Sequence, residues 1–169
     1  MTVHIQDSPT LAYRQAGEAH DLDALMATLS DDVAFHSPLS GTATFEGKEQ
    51  IRELFAVVLS ALSGMRYQTD VGDDRTRALT ATARLDRMEI HESALVRLDD
   101  DGLIKDITMW VRPLPALTAM MAALGPGLAR ATGRRGLPLL VGAAVRPLAA
   151  MTRLGDRTLV PLLTRRRPR

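Results

Sequence analysis

The sequence predicts an α+β domain, with helices packed on one face of a curved antiparallel sheet. Three observations lead there. Residues 65–71, 76–85, 88–98 and 103–112 form four successive strand-like runs, separated by the turn sequences Gly-Asp-Asp, Leu-Asp-Arg-Met and Asp-Asp-Asp-Gly. Helical periodicity lies before and after this block, so helices are segregated from strands rather than alternating with them. No period of solenoid length recurs along the chain.

Taken in order, Ser8-Pro9 offers an N-cap followed by proline at a first helical position, so a helix is expected to begin there. It runs through Leu11, Tyr13 and Ala16, weakens near Gly17, and resumes where Leu22, Leu25, Met26 and Leu29 form one apolar stripe. Val33–Leu39 reads as a short strand ending at Pro38. The clearest helix follows from Gly47, with Ile51, Leu54, Phe55, Val58, Leu59 and Leu62 at helical spacing and Gly64 as its stop. In the strand 88–98, Met88, Ile90, Glu92, Ala94, Val96 and Leu98 share one face, and only Glu92 breaks its apolar character. After Pro113 and Pro115, Leu117, Met120, Met121 and Leu124 begin a last amphipathic helix, which Gly-Pro-Gly at 125–127 is expected to stop.

At 169 residues, with 46% hydrophobic content, the chain suits one domain with a substantial core. The absence of cysteine excludes disulfides and thiolate chemistry. The opening residues lack the basic-then-apolar order of a secretion signal, so a cytoplasmic location is expected. Charge is divided sharply. Residues 1–124 carry 11 Lys/Arg against 19 Asp/Glu, whereas residues 125–169 carry 10 Arg against the single acid Asp156. The expected organisation is therefore an acidic domain over 1–124 and a basic Arg/Leu-rich extension over 125–169, helical in character.

The order of elements, with the phrases LMATLSDDVAFHSP, FEGKEQIRELF and RLDDDGLIKDITMWVRPL, resembles the SnoaL-like members of the nuclear-transport-factor-2-like superfamily over roughly residues 8–124. That resemblance implies a cone of curved sheet and N-terminal helices around an apolar pocket. Relatives include ketosteroid isomerases, limonene epoxide hydrolases and polyketide cyclases, alongside proteins without catalysis. Carried onto this chain, the isomerase pattern keeps its tyrosine at Tyr13, but its base falls on Ser37 and its second oxyanion donor on Ala94. Serine is no general base near neutral pH and alanine donates nothing. The epoxide-hydrolase pattern matches Arg84 and Asp86, while its last-strand aspartate falls on Met109.

Tyr13 and Glu92 are the candidate catalytic residues, as hydrogen-bond donor and proton carrier. A carboxylate on an apolar inward face is either paired, for instance by Arg84, or neutralised by a raised pKa suited to acid–base work. Phe35, Ser37, Phe55, Ala94 and Met109 are expected to line the pocket. His36 and Ser37 are strand neighbours and face opposite ways, so they make no catalytic couple. His91 and Glu89 share a face, but two ligands do not make a metal site, and neither metal nor cofactor is expected. Trp110 has outward parity and marks the outer sheet face as a homodimer interface.

The extension is too broken by arginine and proline to span a bilayer. Its interleaved leucines and arginines suit an anionic membrane surface, which would make the protein peripheral there. Equally, the extension could fold over the pocket mouth or a partner chain. Nucleic acid is disfavoured by the acidic body and the lack of aromatics in the extension. The loss of both expected carboxylates favours a small-molecule-binding protein whose ligand is apolar, lipid-like or carbonyl-bearing. The alternative is a cofactor-independent isomerase, cyclase or epoxide-hydrolase-type enzyme.

Overall fold

In the structure, a computed structural model that describes residues 8–42, 44–131 and 137–164, two short helices lead into the sheet. α1 (Leu11–Ala19) has its N-cap at Thr10, two residues after the Ser8 signal, because Ser8 and Pro9 form a turn in which Leu11 N–H donates to the Ser8 carbonyl. His20, in the left-handed region, ends it. Asp21 then caps α2 (Leu22–Ala27), its carboxylate accepting from Ala24 N–H at 2.9 Å. Leu29, expected on the helical stripe, instead opens β1 (Leu29–His36), which is longer than its apolar run suggested.

β2 (Thr44–Glu46) was not expected, since three residues are too few for a periodicity. α3 (Gly47–Ala61) buries Ile51, Leu54 and Phe55. Leu62 leaves the helix and starts β3 (Leu62–Gly72), and Gly64, with φ of 62°, sits inside that strand rather than stopping the helix. β4 (Thr76–Leu85), β5 (Met88–Leu98) and β6 (Ile104–Arg112) match their expected runs within a residue. The strand order is β2-β1-β6-β5-β4-β3. Consecutive strands pair antiparallel, but β1 runs parallel to β6, since the intervening chain returns to β1 from the far edge of the sheet. Register shifts in the β1–β6, β3–β4 and β5–β6 pairs bend the sheet around the helices. The result is the expected α+β cone, its curved sheet left unclosed and antiparallel except between β1 and β6.

α4 (Leu114–Ala131) corrects another expectation, since it continues through Gly125-Pro126-Gly127. An internal proline costs a helix about 3 kcal/mol. Tertiary packing offsets this, for α5 (Leu137–Thr158) lies along α4 and brings Gly142 against the Pro126 ring. Further along, Thr118 and Thr152 hydroxyls meet at 2.7 Å beside the buried Ala149. α6 (Val160–Thr164) extends the extension by one further turn.

One end of the core is closed by charge rather than by hydrocarbon. Asp70 on β3 receives Arg14 from α1 at 2.8 Å, Arg77 from β4, and the Thr10 hydroxyl at 2.7 Å, all of them buried. Arg77, 2% exposed, also donates to the carbonyls of Asp70, Gly72 and Asp73. Burial pushes the Asp70 carboxyl up, but hydrogen bonds from Ser8, Arg77 and Thr10, with the Arg77 charge, outweigh it and hold the group below its ordinary value. The network ties the start of α1 to the sheet and so fixes Tyr13, the residue preceding Arg14.

Candidate functional site

Between the inner face of the sheet and α1, α3 and α4 lies a narrow cleft with a cavity volume of about 60 Å³, partly open to solvent. Period-two alternation brings Phe35, Tyr67, Glu92 and Met109 to it from four strands, while α1 supplies Tyr13. Phe55 comes from α3, Met120 and Leu124 from α4. Phe35 anchors one wall through edge-to-face contacts with Phe45 and Phe55 at centroid distances of 6.2 and 5.8 Å. The lining is apolar except for Tyr13, Ser37, Tyr67 and Glu92.

Glu92 is 7% exposed, and among the described residues no cation pairs with it. Arg84, the partner considered from sequence, sits on the outer face opposite Glu89 and is exposed. Burial therefore goes uncompensated and raises the Glu92 carboxyl from 4.5 to about 7. Tyr13 and Tyr67 stand close enough to feel its charge. Their rings meet edge-on at 6.2 Å. Burial first, then the Glu92 charge, raises the Tyr13 hydroxyl, while its hydrogen bond with Tyr67 pulls the other way. Burial, then Tyr13 and Glu92, raises Tyr67 well above the ordinary phenol value. Both phenols remain protonated and able to donate across the neutral range.

Tyr67 was not singled out from sequence, although Met65 and Tyr67 share strand parity with the cleft. Its seat depends on Gly17, where an added Cβ would stand 3.3 Å from the Tyr67 hydroxyl and ring edge. The same glycine that weakens the helical pattern leaves room for the second phenol. Arg14, Asp70 and Arg77 were missed as well, because a register shift between Tyr67 and Thr69 turns Asp70 inward against simple alternation.

The remaining expected residues divide. Ser37 lines the cleft just beyond β1, but its hydroxyl accepts from Leu39 N–H at 3.1 Å. Ala94 departs from expectation. It is packed in the core between the sheet and helices, one inward position beyond Glu92, and does not line the cleft. His36 points to the outer face, 2.9 Å from Asp106. Asp86 is exposed in the β4–β5 turn with φ of 53°, outside the cleft, so the epoxide-hydrolase pair is not assembled here. His91 contacts Glu89 at 3.1 Å on the outer face, and among the described residues no three His, Asp or Glu side chains converge. Trp110 is 54% exposed on that face.

A family model for the SnoaL-like domain matches residues 11–107. The chain belongs to the SnoaL-like family. The match spans α1 to β6 and so includes Tyr13, Tyr67 and Glu92, whereas α4 and α5 lie outside it. A comparison with curated protein sequences finds no match. Among solved structures, a protein with a cystatin-like fold from Silicibacter pomeroyi is similar at 20% identity and TM-score 0.64, over 75% of this chain and 86% of that one. A steroid delta-isomerase from Pseudomonas aeruginosa is similar at 25% identity and TM-score 0.62, over 74% of this chain and 89% of that one. SalBIII, an epoxide hydrolase/cyclase-like enzyme in pyran ring formation in polyether salinomycin, is similar at 16% identity and TM-score 0.54, over 62% and 88%. These likenesses carry the SnoaL-like fold and leave the reaction to be argued from the cleft.

Proposed function

We propose that this SnoaL-like protein is an acid–base enzyme that shifts protons on an apolar, carbonyl-bearing small molecule. The observation that supports it is Glu92, a buried carboxyl without a cationic partner among the described residues, on the wall of an apolar cleft shared with two phenols. Structural burial of an uncompensated carboxyl costs stability and serves no packing purpose. A proton carrier, by contrast, works best with its pKa near the operating pH.

In this reading the Glu92 carboxylate removes a proton from the carbon beside the ligand carbonyl. The C–H electron pair forms a C=C bond to the carbonyl carbon and the carbonyl π pair moves onto oxygen, giving an enolate. Tyr13, supported by Tyr67, donates a hydrogen bond to that oxygen as its charge develops. Protonated Glu92 then returns the proton at another carbon, which completes an isomerisation. Alternatively, the enolate carbon attacks a second carbonyl carbon of the ligand, whose π pair moves onto its oxygen and takes the proton from Glu92. That completes an aldol-type cyclisation and regenerates the carboxylate. The base differs in place from that of the isomerase pattern, where this chain has Ser37. Ser37 holds the loop at Leu39 and contributes to the wall.

The test is exchange of α-protons for deuterium in a panel of apolar β,γ-unsaturated cyclic ketones in D₂O, followed by NMR. The wild type should exchange faster than buffer, with a rate that rises with pH through about 7 as Glu92 ionises. Glu92→Gln should lose roughly 10²- to 10⁴-fold, and Tyr13→Phe roughly 10- to 10³-fold. Exchange no faster than buffer across the panel, or equal in wild type and Glu92→Gln, refutes the proposal.

A further inference from the structure

α5 leaves a large apolar surface uncovered. It seats Gly142, Ala149 and Thr152 toward α4, with Leu148 half-exposed on the flank beside Thr152, and Met151 and Leu154 project from the opposite side. Leu159, Leu162 and Leu163 continue that surface into α6, with Met151 69% and Leu163 85% exposed. Scattered exposed apolar side chains need no explanation, but Met151 and five leucines along α5, the turn at Leu159 and α6 mark an interaction face.

Charge selects what covers it. Arg146, Arg153 and Arg157 recur at seven and four residues, so they fall on one flank of α5 within about 40° of each other. All three are exposed and border the open groove between α5 and the β4–β5 turn, together with Arg87. Asp86, Glu89 and Asp156 share the groove, yet among the described residues none lies within ion-pair distance of the α5 arginines. Across residues 125–169 the excess is ten arginines over one aspartate, against eight excess acids in residues 1–124.

We infer that α5 and α6 form a peripheral attachment site for an anionic phospholipid surface, with the leucine and methionine face entering the acyl boundary and the arginines meeting lipid phosphates. No described helix is long and apolar enough to cross a membrane, so the helices lie in the interface rather than span it. The acidic body is repelled by the same surface that attracts the extension, which fixes the orientation. A second copy fits less well. Pairing the face with itself would bring two strongly basic segments together, and the exposed large apolar residues outside α5 and α6, Val71, Trp110 and Leu114, make no comparable surface. A nucleic acid would meet the arginines and leave the leucines in water. The inference is independent of the proton-transfer chemistry assigned to the cleft.

The experiment is co-sedimentation of the full chain with vesicles of phosphatidylcholine, with or without about a third phosphatidylglycerol. The wild type should bind the mixed vesicles at least tenfold more tightly than the neutral ones, and lose that preference in 0.5 M salt. Met151→Glu with Leu154→Glu, both at exposed positions, should remove binding to either vesicle while the far-UV spectrum is retained. Arg146→Gln with Arg153→Gln and Arg157→Gln should weaken binding to the anionic vesicles roughly tenfold or more. Failure of the wild type to bind anionic vesicles overturns the inference. So does undiminished vesicle binding by the Met151/Leu154 variant, or a wild-type dimer without vesicle binding that this variant converts to monomer.

Discussion

Replacing Glu92 by glutamine keeps shape and removes the ionisation, so it isolates the cost of burying this carboxylate. In the unfolded chain the group ionises near 4.5, and in the folded protein at about 7. Between these values the folded state holds a proton that the unfolded state has released, so stability falls as pH rises through that window and is level on either side. The interval corresponds to about 3 kcal/mol in full, of which about 2.5 kcal/mol develops between pH 5 and pH 8. Urea unfolding of wild type and Glu92→Gln at pH 5, 6, 7 and 8 reads this directly. Every other titrating group is common to both proteins and cancels in their difference. The variant should gain on the wild type by about 2 to 3 kcal/mol from pH 5 to pH 8. A gap constant to within about 0.5 kcal/mol would mean that Glu92 ionises equally in both states. The buried proton carrier would then not exist.

Three further substitutions examine the frame. Asp70→Asn strands two buried guanidinium groups and should cost about 3 to 5 kcal/mol in urea unfolding. Because the Asp70 carboxyl is held low, its stabilisation is present above 3.8 and fades as pH falls through its folded value, so the variant's deficit should shrink in acid; an unchanged deficit there contradicts the assignment. Gly72→Ala places a Cβ 2.1 Å from the Thr76 carbonyl oxygen at a φ of 147°, and a midpoint shift worth less than about 2 kcal/mol would show that the β3–β4 turn is built differently. His36→Ala removes only a half-exposed pair with Asp106, so stability should change by under about 1 kcal/mol. The deuterium exchange rate should also be unaltered, and a large loss would restore His36 to the chemistry.

The strands over 76–112 were legible because each alternates cleanly between turns, and Glu92 was legible as the single interruption of an inward apolar face. Tyr13 came with the family resemblance. What escaped depended on departures from simple periods. Asp70 lies beyond a register shift between Tyr67 and Thr69, so its facing cannot be counted along the sequence. Tyr67 keeps parity with Met65 but shows its role only beside Gly17, which makes room for it. Leu29 and Leu62 each complete a helical stripe yet open a strand, since an apolar residue at a boundary serves either period. Gly125-Pro126-Gly127 reads locally as a stop, but the energy that keeps it helical comes from α5, which local spacing does not reveal.

α4 is a party wall. Its Met120 and Leu124 roof the cleft, while its Thr118 holds α5 on the other side. The helix also runs without interruption across the point where the acidic and basic halves of the sequence divide. The two halves therefore cannot be treated as an enclosure and an appendage. Met120 and Leu124 thus bring to the cleft wall two side chains from beyond the family-matched residues 11–107, on a helix whose other side carries the basic extension.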